Sequence, residues 1–123
     1  LRKVLNFGHT AGHAVEILSG FTVSHGEAVA IGMAIEARIA EVAGVAEKGT
    51  AQTVRAALAG AGLPVELPAT MGADRMLEVM RTDKKVRGGT IQYSLPSTIG
   101  KMAGSDSGWT VSVSDAIVRE VIK

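Results

Sequence analysis

From Ser24 to Ala43 the chain carries a helix signal that has almost no polar side in its first half, and this limits how the remainder can fold. Ser24-His25-Gly26-Glu27 has the form of a capping box, with Ser24 as N-cap and Glu27 three residues on. The run Ala28–Ile35 that follows is apolar nearly all round. A helix of that kind is stable in water only when neighbours cover it on every side. It is therefore expected to be the buried centre of the fold, running from about His25 to Ala43. Its second half turns amphipathic at Glu36, Arg38 and Glu41, which reads as a solvent-facing side, and Gly44 stands where a C′ glycine ends a helix.

The material available to cover such a helix is aliphatic. Apolar residues make up 46% of the 123 residues but aromatics only 3%, a mixture that suits close-packed helices more than a β-sandwich. The length is enough for one compact domain. Formal net charge is +1 with the basic residues dispersed, so there is no nucleic-acid footprint. No apolar run approaches the roughly 20 residues of a membrane span, and no secretory leader pattern is present. With no cysteine, a disulfide scaffold is excluded, and a cytoplasmic setting is the expectation. The chain opens at Leu1 directly on a helical pattern and is read as a piece of a longer protein.

That first pattern, Leu1–Leu18, reads as a helix. At about 100° per residue, Arg2, Asn6, His9 and His13 fall within about 60° of one another, while Val4, Gly8, Ala11, Val15 and Leu18 form the opposite face. Further helices are expected over Glu47–Ala61, closed by Gly62 and Pro64, over about Gly72–Thr82 with Met76, Leu77, Val79 and Met80 inward, and over Asp115–Ile122 with Ser114 as cap. Asp83–Gly89 reads as a polar loop. Ile91–Leu95 alternates as a strand would, with a return strand near Ile99–Met102, giving a small β-hairpin. The fold class is thus mainly α with a small hairpin.

The histidines carry the chemistry. His9 and His13 lie four apart on one helix face and suit two metal ligands, although paired helical histidines also arise from packing alone. His25 sits at a helix N-terminus, where the dipole favours the neutral ring that a metal requires. Without cysteine, a Zn²⁺ site here must use imidazole and carboxylate, as in open three-ligand sites. Glu27 and Glu16 are the nearby carboxylates. Glu27 is more simply the reciprocal member of the capping box, and Glu16 lies one turn beyond His13, either orienting it or facing solvent. Lys84, Lys85 and Arg87 crowd a glycine-bearing loop that either clamps an anion or is simply solvated. Gly8, Gly12, Gly26 and Gly32 weaken their helices by about 1 kcal/mol each relative to Ala, and close helix approach is the simplest reason. They make no dinucleotide fingerprint after a strand.

Taken together, the motifs Arg2-x-x-x-Asn6-Phe7-Gly8-His9-Thr10-x-Gly12-His13-Ala14-Val15-Glu16, His25-Gly26-Glu27-Ala28-Val29-Ala30-x-Gly32-Met33 and Asp83-Lys84-Lys85-Val86-Arg87-Gly88-Gly89 resemble the C-terminal domain of the 3-dehydroquinate synthase family. The resemblance implies a zinc site held by His9, His25 and a glutamate from the region preceding Leu1, which replaces the His9/His13 pairing that spacing alone suggests. It implies that His13 is an active-site proton shuttle or phosphate-side group. By the same resemblance Arg2 and Asn6 bind the carboxylate end and hydroxyls of the substrate, and Lys84 faces its phosphate. The implied reaction converts 3-deoxy-D-arabino-heptulosonate 7-phosphate to 3-dehydroquinate and phosphate in the shikimate pathway, with Zn²⁺ and NAD. An N-terminal domain absent from this chain would carry the NAD, and the intact protein would be a homodimer. The fragment alone is expected to be inactive. Rival readings are a related sugar phosphate cyclase, a metal-dependent polyol dehydrogenase, and a non-catalytic helical binding module that merely retains the histidines.

Overall fold

The computed structural model describes residues 7–68, 71–83, 86–87, 90–93, 96–98, 101–102 and 111–122. Its helices are α1 (His9–Leu18), α2 (His25–Val42), α3 (Thr50–Gly60), α4 (Ala73–Asp83) and α5 (Asp115–Val121). α2 runs through the middle, with α1, α3 and α5 packed on it and α4 closing against α1 and α5. The reason is in its sequence: beyond its exposed first turn, Ala28, Ala30, Ile31, Gly32, Ala34 and Ile35 are all buried and Val29 and Met33 half-buried, so this stretch of α2 turns no open side to water. The other helices contribute narrower stripes, such as Ala11 and Val15 of α1 and Met76 and Met80 of α4.

The start of α2 is as the sequence dictates. The Ser24 side chain accepts from the Glu27 N–H, and the Glu27 carboxylate accepts from the Ser24 N–H, completing the capping box. Gly44 follows the last turn with φ 77°, and Gly62 does the same after α3 with φ 81°. α3 begins at Thr50, three residues later than Glu47. Ser114 occupies the N-cap position of α5, but its side chain makes no capping bond.

α1 departs from expectation. The pattern Leu1–Leu18 suggests one unbroken helix, yet Gly8 adopts φ 85° and the helix begins at His9. A left-handed residue cannot continue a right-handed helix, and glycine tolerates that conformation without a Cβ clash. Arg2 and Asn6 lie outside the described residues.

The strands are short: β1 (Val86–Arg87), β2 (Thr90–Tyr93), β3 (Pro96–Thr98), β4 (Lys101–Met102) and β5 (Val111–Val113). β2 lies between β1 and β5, both antiparallel to it, with Val86 opposite Ile91 and Ile91 opposite Val113. β3 pairs with β4. The return pairing expected between 91–95 and 99–102 is not shown, because β2 takes its partners from 86–87 and 111–113 instead. Val86 and Arg87, assigned from sequence to a polar loop, instead pair antiparallel with β2.

Candidate metal and substrate site

The site is built where α1 crosses the first turns of α2. Gly8, Gly12 and Gly32 allow the two helices to touch through their backbones. A Cβ placed on Gly12 would lie 2.9 Å from the Ala28 carbonyl oxygen, and one on Gly32 would run into the backbone of Gly8 and Gly12. Gly26 does not belong to this contact; its would-be Cβ meets open space, so the close-approach reading is corrected there.

The crossing is held by a buried carboxyl group. Glu36 was read from sequence as part of the solvent-facing side of α2, but it is completely buried. One carboxylate oxygen accepts from the Gly8 N–H at 2.9 Å and the other from the Ala11 N–H at 2.8 Å. Both belong to the first-turn amides of α1 that have no partner within the helix, and a carboxylate there also meets the positive end of the dipole. A trace of this was present in the sequence: Ala28, Gly32 and Glu36 are spaced four apart, so Glu36 lies on the small-residue side of α2 that packs on α1.

This crossing brings His9 and His25 together. Their ring centroids are 5.6 Å apart with the planes tilted by 57°. Nδ1 of His9 lies 3.3 Å from the Phe7 carbonyl oxygen, and Nδ1 of His25 lies 3.0 Å from a carboxylate oxygen of Glu16. Both partners are acceptors, so in a neutral ring each contact is a hydrogen bond only with the proton on Nδ1, which leaves Nε2 unprotonated. Metal-bound histidines commonly have this arrangement, the second nitrogen donating to carbonyl or carboxylate. Glu16 thus serves His25, not His13 as its position along α1 suggested. Glu27 is engaged with Ser24, which supports its capping role. His13 is half-buried one turn along α1 from His9.

Two imidazoles of this kind fit a divalent metal but do not complete a site. Among the described residues no three histidine, aspartate or glutamate side chains gather around one point. Lys84 and Lys85 lie outside the described residues, and for Arg87 only the backbone is described, so the loop read as either an anion clamp or a solvated run adds no geometry. Cavities among the described residues open on the other side of α2, lined by Arg38, Arg55 and Glu66, and include none of the histidines. The side chain of His25 is 65% exposed, so the histidine pair lies on an open wall of the molecule.

Residues 1–86 match the family described as 3-dehydroquinate synthase, C-terminal. The chain belongs to that family. A 3-dehydroquinate synthase of Synechocystis sp. is 41% identical over the whole chain, and that of Caldanaerobacter subterraneus is 43% identical over the same extent. The chain spans about a third of these relatives, 32% and 33% of their lengths. Among solved structures it resembles a 2-deoxy-scyllo-inosose synthase complexed with carbaglucose-6-phosphate, NAD⁺ and Co²⁺. The TM-score is 0.83 at 26% identity, covering 95% of this chain and 32% of that one. It also resembles a 2-epi-5-epi-valiolone synthase from Streptomyces hygroscopicus with NAD⁺ and Zn²⁺ bound, at TM-score 0.77 and 26% identity, covering 95% of this chain and 31% of that one. The family's helical fold is therefore shared by enzymes named for different cyclised sugars. No described helix is long and apolar enough to cross a membrane.

Proposed function

We propose that this chain is the metal- and substrate-binding part of a 3-dehydroquinate synthase that converts 3-deoxy-D-arabino-heptulosonate 7-phosphate to 3-dehydroquinate and phosphate. The observation that supports the metal half is the His9–His25 pair, ring centroids 5.6 Å apart and each ring facing an acceptor at Nδ1, which leaves Nε2 available as a ligand atom. The third ligand and the NAD site belong to the part of the protein outside this chain. A divalent metal bound there would polarise the substrate hydroxyl that NAD oxidises and the carbonyl formed from it.

The residues of this chain have separable tasks in that reading. His9 and His25 hold the metal, and their acceptors keep the rings from turning. His13, one turn from His9, is the group that moves a proton near the departing phosphate. Arg2 and Asn6 hold the carboxylate end and the hydroxyls, and Lys84 holds the phosphate, so that the substrate is fixed at both ends before reaction. The open wall around His25 is what a half-site needs if the remaining ligands arrive from a second domain.

The substrate needs its own test, because the solved structures of this fold carry other names, 2-deoxy-scyllo-inosose synthase and 2-epi-5-epi-valiolone synthase. Sequence favours 3-dehydroquinate synthase: the relatives of that name are 41% and 43% identical, against 26% for the cyclases of known structure. The deciding experiment offers the intact protein, with NAD⁺ and Zn²⁺, the heptulosonate 7-phosphate, sedoheptulose 7-phosphate and glucose 6-phosphate separately and measures phosphate release. Release from the heptulosonate alone is expected. Release from another sugar phosphate moves the substrate and leaves the metal reading standing, while release from none rejects the cyclase assignment.

A further inference from the structure

Glu36 is a fully buried carboxylate to which the reaction outlined above gives no task. Its two hydrogen bonds reach back 28 and 25 residues to Gly8 and Ala11, on either side of His9 in the sequence. The peptide joining Phe7 to Gly8 is the informative unit. Its N–H donates to Glu36 at 2.9 Å, and its carbonyl accepts from Nδ1 of His9 at 3.3 Å. In a trans peptide these two groups point in opposite directions within one rigid plane. Whatever fixes the N–H therefore fixes the carbonyl.

We propose that Glu36 is a positioning residue for His9, acting through the Phe7–Gly8 peptide plane to set which ring nitrogen of His9 carries the proton. The functional consequence rests on the metal role of His9 given above; the tautomer itself does not. The His9 hydrogen bond is long for an N–H···O contact and weak on its own. Gly8 has no side chain of its own with which to orient that peptide. Glu36 supplies the restraint: its carboxyl oxygen fixes the N–H, and accepting from it polarises the peptide, which makes the carbonyl a better acceptor for the ring. The second bond, to the Ala11 N–H, locks the same carboxylate to the first turn of α1, so ring and helix are positioned by one group. His25 receives the equivalent restraint directly from Glu16. A carboxylate thus stands behind each histidine, one in contact and one across a peptide.

The test uses the intact, zinc-free protein with ¹⁵N-labelled histidine, at a pH where the rings are neutral. Ring nitrogen shifts distinguish an Nδ1–H from an Nε2–H tautomer. His9 of the parent protein is expected to be Nδ1–H. Glu36→Gln keeps the volume but can accept through only one of its two terminal atoms. Its His9 signals should move toward a tautomer mixture while those of His25 stay in place. Zinc affinity, read by chelator competition, should fall about tenfold, as for other groups that orient a ligand from behind. A Glu36→Gln protein that is less stable but keeps the parental His9 tautomer and zinc affinity overturns the proposal and leaves Glu36 as a helix cap. A parent protein whose His9 is Nε2–H overturns it too, and that result requires no variant to fold. Parental zinc affinity in His9→Ala would reject the metal role of His9, and the ring shifts would still judge the relay by themselves.

Discussion

His9 and His25 face each other across a few ångströms, but the molecule holds them by different means. His9 opens α1 in a glycine-lined crossing, with the fully buried Glu36 behind it and helix backbones in contact on both sides. His25 opens α2 at the surface, its side chain 65% exposed, with Glu16 alongside and open space around Gly26. The surroundings of one proposed ligand are thus inseparable from the fold, and those of the other can be altered with little effect on it. Substitutions around the two ends should therefore differ in kind: loss of stability together with metal around His9, loss of metal alone around His25.

The largest effect is expected from Glu36→Ala. It strands the buried N–H groups of Gly8 and Ala11 and should lower the stability of the intact protein by about 3 kcal/mol in a denaturant titration. Gly32→Ala comes next. Its Cβ has only backbone to push against, with Gly12 Cα 2.8 Å away, so the crossing must open, at about 2 kcal/mol. Zinc affinity should fall with it, because the crossing sets the distance between the rings. If either variant were as stable as the parent, the contrast between the two ends would collapse.

At the other end, Glu16→Ala should change stability little but lower zinc affinity about tenfold in chelator competition. A loss of stability equal to that of Glu36→Ala would show the two ends to be alike. Ser24→Ala removes the cap of α2 and should cost about 1 kcal/mol, read as a lower thermal midpoint. The smallest effect, with opposite sign, belongs to Gly26→Ala. Its Cβ meets nothing, so improved helix propensity should stabilise the protein by about 0.5 kcal/mol, measured in the same titration.

Much of this architecture could be read from local pattern. The capping box at Ser24, the all-round apolar run behind it, and the terminal glycines Gly44 and Gly62 are signals whose partners lie within a few residues, and the structure contains each of them. α3, α4 and α5 likewise follow apolar periodicity to within a few residues at their ends. The motifs around His9 and His25 identify the family without any coordinates. What local pattern misjudged depends on partners far along the chain. A helical projection through Leu1–Leu18 could not register that Gly8 turns left-handed, since glycine within a helix pattern looks the same whether it continues the helix or starts it. β2 found partners in 86–87 and 111–113 because strand pairing is chosen by non-local register and not by the alternation within one segment. Above all, a charged residue on an amphipathic helix reads as solvated until its surroundings are known. Glu36 is buried only because the glycines of α1 and α2 let two backbones meet and leave first-turn amides that a carboxylate can satisfy. Composition and spacing determined that α2 would be central and that the histidines would matter. Only the packing of α1 on α2 decided which histidines meet, which acceptor each ring faces, and that a glutamate would be enclosed between them.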